Sequence, residues 1–264
     1  MSKGIVLVIG SNGTEIEVVG GMRPIGQYLN ETVVPIWAIR DAGYDFVLAT
    51  PKGIAPHLDP SALSAEHFGG DVDLFYKAQT FFAEDPSMTD VRTLHSEVES
   101  GLDAYAGVFV PGGHAPVVDL MMDPDAGVAL RHFHSARKPT ALICHGPIAL
   151  VSTLPGAREF RAALAAGDPA KARELAKDWV YAGYDMTIYS NSESKPVEDQ
   201  LFHARMLFHV VDALKAAGGN VTTGPDFEPH VVADRELITG QNPRSDHAVG
   251  AALIRALDAA SSKA

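Results

Sequence analysis

A single cysteine, Cys144, stands in a chain of 264 residues, so neither an internal disulfide nor a multi-thiolate zinc site can form. A lone thiol fits a reducing compartment, and a cytoplasmic location is expected. No apolar run approaches the roughly 18 residues of a membrane helix. The opening Met1 to Ile9 is too short for a signal-peptide core and reads as a first buried strand. Positive charge is also scarce: 21 Lys and Arg against 33 Asp and Glu leave a formal charge of −12. That balance repels phosphate backbones and anionic headgroups at long range, so neither nucleic acid nor membrane is an expected partner. Internal repeats, low-complexity tracts and linkers are absent as well, which favours one domain over 1–264.

What is there is a series of strand-length apolar runs separated by helical patterns, the signature of an α/β fold with a parallel sheet covered by helices on both faces. The expected strands are Ile5 to Ile9, Tyr44 to Ala49, Gly107 to Val110, Thr140 to Ile143 and Met186 to Tyr189. His230 to Ala233 and Glu236 to Ile238 flank a turn and suggest a hairpin at a sheet edge. Leu201, Ala204, Phe208, Val211 and Leu214 share a helical face that Gly218-Gly219 ends. A second helix is expected through Leu29, Val33, Ile36 and Trp37, starting or kinking at Pro35, which has no N–H for the Glu31 carbonyl. Residues 51–100 hold several prolines, short helical pieces and no obvious strand, and read as a mostly helical insertion or lid.

Cys144 lies where the run Thr140-Ala141-Leu142-Ile143 gives way to His145-Gly146-Pro147 and a helical pattern. Such an elbow puts a side chain at the carboxyl end of the sheet and aims a helix N-terminus at it, which favours a thiolate. Elsewhere a cysteine after Ala-Leu-Ile would count as one more small buried residue. Val110-Pro111-Gly112-Gly113-His114 forms a second glycine-bearing strand end. The Gly113 and His145 amides are placed to converge on one developing oxyanion. His114 borders this loop, and Arg23, in Gly20-Gly21-Met22-Arg23-Pro24, is a candidate for attracting a carboxylate or polarised carbonyl. Gly10-Ser11-Asn12-Gly13 lacks the third glycine of a dinucleotide fingerprint. His132 and His134 alternate on a helix and point apart, and no metal site is expected.

Pro111-Gly112-Gly113-His114 followed by Ala141-Leu142-Ile143-Cys144-His145-Gly146-Pro147 resembles the ThiJ/PfpI superfamily of class I glutamine amidotransferase-like proteins. The elbow and Leu237-Ile238-Thr239-Gly240-Gln241-Asn242-Pro243-Arg244-Ser245 resemble the glyoxalase III and stress-chaperone branch most. The resemblance implies a flavodoxin-like, doubly wound sheet. It also implies a glutamate bonded to the nucleophilic thiol, at Glu31, and an acid paired with the histidine after the cysteine. The expected acid falls on Ser194, with Glu193 one place early and able to take the role across a small bulge.

Catalysis is thus expected from Cys144, His145, Glu31 and Glu193, with Gly113, His145, His114 and Arg23 binding substrate or oxyanion. The resemblance implies a cofactor-independent conversion of methylglyoxal to lactate. The alternatives are amidase, peptidase or hydratase chemistry on another small electrophile, or a holdase chaperone or redox sensor without turnover. A homodimer is expected.

Overall fold

The computed structural model describes residues 2–262. Seven strands form the main sheet, in the order Val231–Asp234, Leu237–Gly240, Thr140–Ile143, Tyr105–Val110, Ile5–Ile9, Asp45–Thr50 and Arg92–Thr93. All neighbouring pairs are parallel except the first, an antiparallel hairpin with Val232 opposite Thr239. The central runs are apolar on both faces because both faces are covered: Leu7, Val8, Val108, Phe109, Leu142 and Ile143 are wholly buried. Burying each such side chain contributes about 1.5–3 kcal/mol.

Helix Leu29–Asp41 packs against Asp246–Ser261 in one layer. Pro124–Ser135 packs against the turns that follow Cys144, in a second layer. Ile5–Ile9 is the point where chain order reverses across the sheet, and open α/β sheets bind ligands beyond the carboxyl ends of strands at such a switch.

Several elements differ from the sequence reading, each for a tertiary reason. Residues 51–100 are mostly helical, yet Arg92–Thr93 adds a short edge strand beside Ala49 and Thr50. Two exposed residues carry no apolar alternation that could announce it. Of the expected strand Met186 to Tyr189 only Met186 lies in a strand, Asp185–Met186, which pairs with Asn220–Val221 outside the main sheet. The expected helix through Leu29 is present as Leu29–Asp41, but Pro35 lies inside it and does not start it.

The expected helix from Leu201 is broken: it starts only at Val210. Before it, the chain is held by the hairpin Glu15–Val18/Gly21–Pro24, with Val19 N–H bonded to the Arg205 carbonyl at 2.9 Å and Val18 bridging Met206. The buried Glu198 carboxylate also accepts the Met206 N–H at 2.8 Å. These bonds to side chain and hairpin replace the helical ones.

Candidate active site

The sheet strand Thr140–Ile143 ends at Cys144, whose φ of +58° is unusual for a non-glycine residue. That left-handed conformation costs about 1–3 kcal/mol and is held by two backbone bonds. The Cys144 N–H donates to the Gly240 carbonyl at 2.9 Å, and its carbonyl accepts the Tyr189 N–H at 3.0 Å. After His145 the chain winds as 3₁₀ turns over Gly146–Thr153, with Pro147 in the first turn.

The glycines that follow the neighbouring strand are dictated by space. A methyl group on Gly112 would collide with the Glu31 carboxylate, the Ile143 carbonyl and Cys144 Cβ. Gly113 has φ +83°, and any Cβ there would strike the Gly26 carbonyl. The loop therefore lies flush against Cys144, and the Gly113 amide faces both the thiol and the Glu31 carboxyl.

Glu31 sits in the first turn of its helix and is wholly buried. Neither of its oxygens has a partner within strict hydrogen-bond geometry. Burial pushes its carboxyl up to about 8, a rise that the facing Cys144 thiol and Gly113 amide only partly offset. Burial, then the Glu31 charge, pushes the Cys144 thiol well above its ordinary value. This corrects the expectation of a thiolate favoured by a helix N-terminus: desolvation outweighs the dipole, and the 3₁₀ turns are not a long helix. Thiol and carboxyl form one coupled acid–base pair.

His145 Nδ1 is 3.3 Å from Cys144 Sγ. Its ring stacks on Tyr189 at 4.6 Å and packs on His114 at 4.3 Å. Burial, then His114 and His209, hold His145 well below the ordinary histidine range, so it is neutral at rest.

Among the described residues no hydrogen bond or ion pair joins Glu193 to His145. Its carboxylate accepts Ser190 N–H at 3.1 Å, Gln241 Nε2 at 3.0 Å, and Phe227 N–H and Asn242 Nδ2 at 2.7 Å each. It closes a capping box with Ser190 and pins two loops together. The residue that borders His145 is Ser194, in a small cavity that also touches His114 and His209. Ser194 Oγ donates to the Ser190 carbonyl at 2.9 Å, as a helical serine does. The placement of Arg23 is likewise a correction. Its Nε donates to the Phe202 carbonyl at 2.6 Å, and Phe202 in turn packs on the His114 ring at 5.2 Å. Arg23 thus buttresses the site's wall and is not aimed at a substrate.

Among the expected site residues, Cys144, His145, Glu31, Gly113 and His114 come together. The sequence reading missed Tyr189, Tyr28 and Asp59. Tyr28 lies near Cys144 and Glu31 with its hydroxyl 2.8 Å from Ser61 Oγ, and Asp59 reaches His114 from the 51–100 stretch. No spacing in the sequence announces these contacts, because they join distant segments. Among the described residues no three metal-ligating side chains converge. His132 faces Asp103 at 3.6 Å while His134 Nδ1 lies 2.8 Å from Glu236. A cavity of about 1000 Å³ beside Tyr184 and Arg235 is at the amino end of the sheet strands, remote from Cys144.

Comparison with known proteins agrees with this architecture. The DJ-1/PfpI family matches residues 27–158, which include Glu31, the Gly112-Gly113-His114 loop and the Cys144 elbow. The protein/nucleic acid deglycase HchA of Escherichia coli O157:H7 is 24% identical over 235 residues, covering 88% of this chain and 72% of that protein. The Francisella tularensis rapid encystment protein REP24 superposes with a TM-score of 0.75 at 20% identity, covering 96% of this chain and 99% of the other. Glyoxalase III from Candida albicans superposes with a TM-score of 0.70 at 19% identity, covering 96% and 97%. With half its length matched and the Cys144 elbow inside the match, the chain belongs to the DJ-1/PfpI family.

Proposed function

We propose that this chain is a cofactor-independent enzyme that uses Cys144 on small reactive aldehydes, with methylglyoxal as the leading substrate and lactate as product. The observation that carries the reading is the buried carboxyl of Glu31 against the Cys144 thiol, pushed up to about 8, where it can take and return a proton near neutral pH. The Cys144 sulfur bonds to the aldehyde carbon, its proton passes to the aldehyde oxygen, and a hemithioacetal forms. The Gly113 and His145 amides hold that oxygen. Glu31 then removes the proton on the same carbon to give an enediol and returns a proton to the neighbouring carbon, leaving a thioester. Water cleaves the thioester, releasing lactate and restoring the thiol. The sum is one internal redox exchange and one hydration, so no external oxidant is needed.

The HchA relatives favour a second reading on the same thiol, removal of an aldehyde adduct from an amine. Their name extends to nucleic acids. The formal charge of −12 opposes strong binding to a phosphate backbone but does not bar chemistry on it. The deciding experiment measures lactate from methylglyoxal without glutathione, beside release of lactate from a preformed methylglyoxal–amine adduct at low free aldehyde. Activity on free methylglyoxal that disappears in Cys144→Ala and Glu31→Gln supports the glyoxalase reading. Turnover of the adduct alone supports the deglycase reading. Neither, in reduced and folded protein, overturns both and directs attention to amides, to holdase protection that survives Cys144→Ala, or to oxidation of the thiol.

A further inference from the structure

The segment beyond Tyr189 supplies no acid to His145 or His114: Glu193 is consumed by four donors, Ser194 bonds its own helix, and Glu198 is taken up by the Met206 N–H, Arg205 and His209. A carboxylate nevertheless reaches them from elsewhere. Asp59 is 3% exposed, and its Oδ2 lies 3.8 Å from His114 Nδ1. Among the described residues it is the one carboxylate within ion-pair distance of His114, and that buried nitrogen has no hydrogen-bond partner. The His114 ring packs on His145 at 4.3 Å, and His145 touches Cys144 Sγ.

Asp59 is also fixed relative to the glycine loop. Its N–H donates to the Gln27 carbonyl at 3.0 Å, and its Oδ2 accepts the Gly26 N–H at 3.0 Å. The same short strip holds the loop from its other side, since Gln27 bridges Gly113 and the Gly26 carbonyl accepts the Ala115 N–H at 3.3 Å. Oδ1 accepts Ser61 N–H at 2.9 Å and Ser61 Oγ at 2.6 Å, and Ser61 Oγ meets the Tyr28 hydroxyl. Burial alone would raise the Asp59 carboxyl, but His114 and Ser61 outweigh it and keep the group below its ordinary value, hence charged.

We propose that Asp59 is a positioning residue of the active site, holding His114 with its proton on Nδ1 and thereby fixing the imidazole that packs on His145. The acid that the family resemblance places after Tyr189 is thus provided by residues 51–100, acting one histidine further out. A carboxylate behind an imidazole sets its tautomer and stabilises its protonated form when charge develops nearby. At 3.8 Å the contact is longer than a hydrogen bond. A modest turn of the ring closes it, as apo sites commonly do on binding substrate. The inference rests on Cys144 being the nucleophile, and its test includes a readout that does not need turnover.

That readout is the tautomer of His114 by nitrogen-15 NMR in the wild-type protein, assigned with His114→Gln. The expected result is a proton on Nδ1 that shifts toward the other nitrogen in Asp59→Asn; a proton on Nε2 in the wild type overturns the proposal whether or not methylglyoxal is the substrate. On activity, Asp59→Asn is expected to lower kcat about tenfold to a hundredfold with little change in KM, and Asp59→Glu to recover part of the loss. The double variant Asp59→Asn/His114→Gln is expected to be no slower than His114→Gln alone, since Asp59 works through that ring. A purely structural Asp59, which only caps the turn at Pro60–Ala62, would instead give multiplicative losses, and that result overturns the proposal. If Asp59→Asn fails to fold, the wild-type tautomer decides.

Discussion

Replacing Glu31 by glutamine is expected to stabilise the protein while abolishing its chemistry, and the stabilisation is expected to grow with pH. The wholly buried carboxyl has its pKa raised from 4.5 to about 8, with desolvation the largest cause. Between those values the folded protein keeps a proton that the unfolded chain has lost, so the wild type loses stability as pH rises through that window. At about 1.36 kcal/mol per pH unit, the loss from pH 5 to pH 8 reaches about 4 kcal/mol. Glutamine carries no charge to desolvate and does not pay this cost. For a chain of this size each kcal/mol moves Tm by roughly 2–4 °C, so the gap between Glu31→Gln and wild type should widen by about 8–16 °C over that range. The assay is thermal or urea unfolding of both proteins at pH 5, 6, 7 and 8, with the variant-minus-wild-type difference plotted against pH. Charges common to both chains cancel in that difference. A flat difference would refute the claim that Glu31 is held protonated by burial.

Four further outcomes follow from the same geometry. The rate of the Cys144 reaction is expected to rise with pH through about 8 as Glu31 becomes a carboxylate able to remove the proton on the hemithioacetal carbon, a limb that Glu31→Gln should lack in a pH–rate profile. Gly112→Ala is expected to reduce kcat/KM by at least about a hundredfold, because the new methyl group must displace Glu31 or Cys144; near-normal kinetics would show that the loop is not flush against the thiol. Glu193→Ala removes the acceptor of four donors, three of them buried, and should cost about 3 kcal/mol or more, read as a fall in urea midpoint at constant slope. Phe109→Ala, in a central strand with no exposed surface, should cost about 3–5 kcal/mol in the same assay.

Much of this molecule was written locally. Uniform apolar runs at Ile5 to Ile9 and Thr140 to Ile143 can only be strands covered on both faces. The elbow at Cys144 and the paired glycines 112 and 113 announced a reactive centre, since those residue types are demanded by backbone shape and close approach. Burial, pairing and charge state were decided by the tertiary structure. Whether the elbow's thiol is held as thiol or thiolate depends on desolvation by layers that no window of sequence describes, and the answer reversed the local expectation. The helix pattern from Leu201 to Leu214 yielded to pairing with the hairpin near Val18 and to the Glu198 carboxylate. Glu193 and Asp59 look alike in the sequence as isolated acids. One is saturated by loops some fifty residues away and the other is set beside His114, because hydrogen bonds and ion pairs act through space and sequence separation carries no record of them.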